Sequence, residues 1–154
     1  MTYEIELQTT VSVTDETAAL LEAAAIATLN YEQVASPASL SLLLTDDVQM
    51  EQLNHDFRGE AQPTDVLSFP MNEEMPGSDE LYLGDIAISV PYAQRQAAAG
   101  GHALDAELQL LTVHGVLHLL GHDHLEPEEK AAMWAVQAAI LTQLGAEITA
   151  PSVE

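Results

Sequence analysis

The stretch His114-Gly115-Val116-Leu117-His118-Leu119-Leu120-Gly121-His122-Asp123-His124 decides how the rest of the chain is read, and it holds four of the six histidines. His114 and His118 are four apart, so on a helix they lie one turn apart on one face and can share a ligand. Leu117, Leu119 and Leu120 are apolar, as the end of a buried helix requires. Gly121 is where that helix is expected to stop, because glycine takes the left-handed conformation past a helix end at little cost. The chain then turns back, which lets His124 approach the two helical imidazoles from outside. The spacing H-x3-H-x2-G-x2-H thus offers three neutral imidazoles with a gap in the shell. That suits a divalent metal that keeps a water, and zinc is the first expectation.

Other arrangements compete. Histidines in an apolar helix can simply be satisfied core residues. If His122 also turned inward, four imidazoles would close the shell, and a closed shell supports folding rather than chemistry. Asp123 is expected to hydrogen-bond backbone or a ligand imidazole. Metalloproteases with the same histidine and glycine spacing carry a glutamate directly after the first histidine as general base. Gly115 cannot take a proton, so a peptidase would need its base at Asp65, Asp85 or Asp123.

Composition narrows the classes. The chain has 154 residues, 47% of them hydrophobic, which argues for one folded domain over 1–145 and against disorder. No apolar run reaches the roughly 18 residues of a membrane span. The N-terminal MTYEIELQTT is neither basic nor apolar enough for a signal peptide, so a cytoplasmic protein is expected. With no cysteine, any metal must be held by His, Asp or Glu. Asp and Glu number 25 against Arg58, Arg95 and Lys130, a formal net charge of −22. Such a charge repels polyanions at long range, and taken alone it weighs against binding DNA or RNA.

Residues 3–9 alternate as a half-exposed strand. Thr14 is placed to cap a helix from Asp15 to Asn30 that turns Leu20, Leu21, Ala24 and Leu29 inward. Ser36-Pro37 interrupts, and Leu40–Leu44 form a second strand. Thr45 is expected to cap a helix from Asp46 to about Asp56, with Val48 and Leu53 inward. After a loop over 58–63, Thr64–Phe69 read as a strand stopped by Pro70, and 71–80 as an acidic surface loop. Leu81–Val90 read as the fourth strand. Pro91 opens a helix ending near Gly100, and Asp105 begins the histidine helix. Pro127 begins a last helix to about Leu144 that buries Met133, Trp134, Val136, Ile140 and Leu141. Residues 146–154 read as a frayed tail. The sum is an α+β domain in which helices pack on a four-stranded mixed sheet.

Three blocks of this sequence, taken together, resemble the YbeY family of ribosomal-RNA maturation endoribonucleases. The histidine stretch matches the family signature H-G-x-L-H-L-x-G-(Y/H)-D-H. A second block comprises Leu53-Asn54, Phe57-Arg58-Gly59 and Pro63-Thr64-Asp65-Val66-Leu67-Ser68-Phe69-Pro70. A third is Leu83-Gly84-Asp85-Ile86-Ala87-Ile88-Ser89. The resemblance implies a zincin-like α+β domain with zinc on His114, His118 and His124. It implies a catalytic role for Arg58 beside the metal and for His114 within it. The implied activity is metal-dependent cleavage of single-stranded RNA, in 3′-end processing of small-subunit ribosomal RNA and in ribosome quality control. The implied partners are the small ribosomal subunit with its RNA and the assembly GTPase Era. His122 stands where the family usually has tyrosine, and Glu60-Ala61-Gln62 replace a loop that is commonly basic. On chemistry alone, Arg58 could grip phosphate by paired hydrogen bonds, or could be an ordinary surface arginine paired with Asp56 or Glu60. A non-catalytic assembly factor with a structural metal is a further alternative.

Overall fold

The computed structural model describes residues 2–146. In chain order the elements are β1 (Tyr3–Thr9), α1 (Asp15–Tyr31), β2 (Ala38–Thr45), α2 (Asp47–Arg58), β3 (Val66–Glu74), β4 (Leu81–Ser89), α3 (Val90–Gly100), α4 (Leu104–Leu119) and α5 (Pro127–Leu144). The sheet order is β1-β2-β4-β3, with β1, β2 and β4 parallel and β3 antiparallel to β4. This is the α+β fold with a mixed four-stranded sheet that the sequence predicts.

Helix α4 is the centre of the molecule. Every residue from Ala106 to Leu117 is buried, so it has no solvent face and no amphipathic stripe. One side, with Leu108, Leu111, Val116 and Leu119, packs on α1 and on Leu40, Leu42, Leu44, Ile86 and Ile88 of the sheet. Another side, with Leu110, Val113 and Leu117, meets Met133, Ile140 and Leu141 of α5 and Ala24 of α1. Emptying one such leucine site would cost about 2–5 kcal/mol. The histidines at the end of α4 are therefore fixed by the most constrained element in the chain.

Several boundaries differ from expectation, each for a local reason. β3 does not stop at Pro70 but continues to Glu74, so only the turn beyond it remains of the expected 71–80 loop. β3 is an edge strand, where a missing N–H is tolerated, and the pairing slips between Pro70 and Glu73. The N-cap of α2 is Asp46, whose side chain accepts from Gln49 N, rather than Thr45. Val48 is 79% exposed, and Met50 with Asn54 one turn on takes the inward face instead. Leu20 lies at the exposed margin of α1, while Leu21, Ala24 and Leu29 are buried. In α5, Met133, Ile140 and Leu141 are core, but Trp134 and Val136 are only half-buried. The tail after Ala146 lies outside the described residues.

Candidate metal centre

The last two turns of α4 deliver His114 and His118 side by side. Gly121 then takes φ +100°, a backbone state that disfavours any side chain, and turns the chain back over the helix end. In that turn Asp123 accepts the His124 N–H at 2.7 Å and shapes the backbone that carries the third histidine. The structure brings His114, His118 and His124 together, with one ring nitrogen from each within 4.8 Å of the others. Their ring centroids are 4.6, 5.4 and 5.1 Å apart.

Hydrogen bonds fix which nitrogens are available. His118 Nδ1 donates to the His122 carbonyl at 2.9 Å, a group that can only accept. His114 Nδ1 donates to Gln137 Oε1 at 2.9 Å, and Gln137 is fully buried on α5. Both Nε2 atoms are thereby left as lone-pair donors, and they face each other at 3.1 Å. Nitrogens held by a tetrahedral zinc, at about 2.0–2.1 Å each, would lie about 3.3 Å apart, so this donor set fits such an ion. Burial, with His114 and His124 close by, holds the His118 imidazole down at about 4. It is neutral at physiological pH, the form that binds metal.

His122 does not join the three. Its Nε2 pairs with the Glu32 carboxylate, just past the end of α1, so a four-imidazole shell is not formed. Trp134 stands edge-on to His114 and His124, with centroids 5.6 and 5.5 Å away, and Lys130 Nζ lies 5.6 Å from the Trp134 ring. Trp134, expected in the core, thus borders the site, and Glu32 and Gln137 join it with no signal in the local sequence. Arg95 pairs with Asp47 at 2.8 Å, away from the histidines.

Arg58 ends α2, where Gly59 caps the helix, and it is exposed. It lines the same cavity as the three histidines, a space of about 930 Å³ bounded also by Asp65, Ser68 and Asp123. Neither expected surface partner holds it: Asp56 contacts His55 and Gln52 instead. Asp85 faces a different hollow on the sheet and bonds to Tyr82, which leaves it outside the site. Asp65 accepts Val66 N–H at 2.7 Å. The second metal-site glycine, Gly115, lies where α4 presses on the sheet. A Cβ there would meet Ile86 Cγ2 at 2.9 Å, and the Gly115 carbonyl accepts from Ser68 Oγ at 3.1 Å.

Comparison with known proteins agrees with this architecture. The family model for Endoribonuclease YbeY matches residues 4–145. An Endoribonuclease YbeY of Desulforamulus reducens is 43% identical over 143 residues, covering 90% of this chain and 94% of the relative. One from Roseiflexus castenholzii is 47% identical over 133 residues, covering 83% and 84%. The solution structure of TM1509 from Thermotoga maritima superposes with a TM-score of 0.63 at 25% identity, covering 93% of this chain and 90% of that one. No described helix is long and apolar enough to cross a membrane. A buried helix ending in three convergent imidazoles, an arginine across the cavity and a match spanning nearly the whole sequence lead to one assignment: the chain belongs to the YbeY endoribonuclease family.

Proposed function

We propose that this protein is a zinc-dependent, single-strand-specific endoribonuclease that acts in 3′-end processing of small-subunit ribosomal RNA and in ribosome quality control. On this reading it works in the cytoplasm with the small ribosomal subunit and the GTPase Era as partners. The observation that carries the chemistry is the paired Nε2 lone pairs of His114 and His118, fixed by hydrogen bonds on their opposite ring nitrogens. With His124 they would hold one zinc ion, and no fourth histidine joins them. When bound, the ion supplies Lewis acidity toward a phosphoryl oxygen and acidifies water.

The chain's own residues do the rest. Gln137 and the His122 carbonyl hold two rings in the metal-binding tautomer, as partners behind metal ligands commonly do. Arg58, free of Asp56 and sharing the cavity, binds two phosphate oxygens and opposes the charge that grows on them in the transition state. Pairing of His122 with Glu32 supports an open shell rather than a purely structural metal. The test is single-turnover cleavage of a single-stranded RNA, with metal content measured on the same sample. Chelation and His114→Ala should each abolish cleavage, and Arg58→Ala should slow it about 10²-fold with metal content unchanged. Full cleavage by the metal-free protein, or a metal held by four side chains, would sink the reading.

A further inference from the structure

A protein with three cations in 154 residues has little with which to hold a polyanion. Two of the three are engaged: Arg95 pairs with Asp47 at 2.8 Å, and Lys130 lies over Trp134, behind the histidines. Arg58 alone stands in the cavity of the histidine site. Phosphate contacts are few here, so another kind of contact must supply much of the affinity for RNA.

The cavity mouth offers one. Phe57, directly before Arg58 in the last turn of α2, is 65% exposed and lines the same cavity. Its ring leans on Phe69 of β3, with centroids 4.4 Å apart and planes tilted by 39°. Phe69 braces it from one side, and most of the Phe57 surface remains open. Leu125, directly after His124, is 80% exposed at the same cavity. Thus each functional group at the mouth, Arg58 and His124, is followed or preceded in sequence by a large apolar side chain left in solvent.

We propose that Phe57 is a stacking platform for one unpaired nucleobase of the RNA, next to the phosphate held by Arg58 and the metal centre. Leu125 bounds the same base slot from the histidine side. Stacking on an aromatic face tolerates any base and needs no cation, which suits a chain of this charge. It also requires a base free of a partner, so it selects single strands over duplex. This inference rests on the nuclease reading above and names how its substrate is held.

The experiment compares wild type with Phe57→Ala, Phe57→Leu and Phe57→Trp, all metal-loaded. Cleavage kinetics are measured on a short single-stranded RNA. Binding is measured by anisotropy of a labelled single-stranded DNA of the same sequence, a probe that a ribonuclease does not cut. Phe57→Ala and Phe57→Leu should each raise KM and weaken probe binding about tenfold or more, with kcat within about twofold, while Phe57→Trp restores both. Because few phosphates are contacted, log affinity against log salt should fall with a slope of only about 0.7 to 1.4. Phe57→Leu behaving as wild type would show a filler rather than a platform and overturn the proposal. So would a slope above about 3, the mark of a grip on four or more phosphates. A wild-type protein that does not cleave RNA would instead defeat the nuclease reading, and the two failures are told apart. Thermal melts of the variants separate stacking from damage to the Phe57–Phe69 contact.

Discussion

The two ends of α4 both bury ionisable side chains, and they treat them in opposite ways. At the N-terminal end, Glu107 is 1% exposed and meets His102 Nε2 at 2.5 Å, while Asp105 accepts from Thr17 Oγ1 at 2.8 Å. Each polar group there meets a complementary one. At the other end, three imidazoles with no carboxylate among them converge, and two present lone pairs to each other. Complementary pairing closes a cluster. Gathering like groups leaves it short of a positive charge, and the surrounding fold must hold it open. The difference teaches where structure ends and function begins along one helix.

The contrast breaks first under truncation. Glu107→Ala should destabilise the protein by about 2–3 kcal/mol, because it removes the hydrogen bond to the partly buried His102 and leaves a hole beside it. Its metal binding and cleavage should persist below the new melting point. His118→Ala should abolish metal binding yet cost the metal-free protein only about 1 kcal/mol, since it removes one hydrogen bond, to the His122 carbonyl, and no counter-charge. Urea titrations of both variants in chelator check this, and equal losses would erase the distinction.

A finer probe is Gln137, which reaches the centre from α5 through a single hydrogen bond. Gln137→Ala should lower metal affinity about 10- to 100-fold, read by competition with a chromogenic chelator. Unchanged affinity would mean that the tautomer of His114 is set elsewhere. A further probe is the effect of pH on the metal-free protein. The unfolded chain protonates His118 near 6.5, while the folded chain refuses that proton until about 4. Its contribution is fully present above 6.5 and is lost as pH falls through that window. Glu107, raised by burial, acts in the opposite sense, so its share is lost as pH rises past its own value. His118→Ala should therefore flatten the acid-side loss in urea titrations at pH 7 and pH 5.

The candidate metal site was legible because its three convergent histidines lie in one eleven-residue stretch, where helical spacing and a turn glycine carry the geometry. The central helix was legible for the same reason, as an apolar run of the right length. What surrounds the site was not. Gln137 and Glu32 come from other helices, and no periodicity links them to residue 114 or 122. Trp134 looked like core because large aromatics usually are, and only the folded chain shows its edge against two imidazoles. Pro70 looked like a strand stop because its edge position depends on strand order, which local sequence does not encode. Val48 is apolar but lies about 200° around α2 from Met50, and the buried face runs through Met50 and Asn54, which apolar character alone does not reveal.

The tight seat of Gly115 against Ile86 also limits what this scaffold can become. A single base change in a glycine codon can write glutamate, and glutamate at that position is what a zinc proteinase of this spacing would require. Here such a side chain would be driven into the sheet instead of toward solvent, and the helix would have to lift off its bed to admit it. The neighbouring chemistry is one mutation away in the gene and a whole repacking away in the protein.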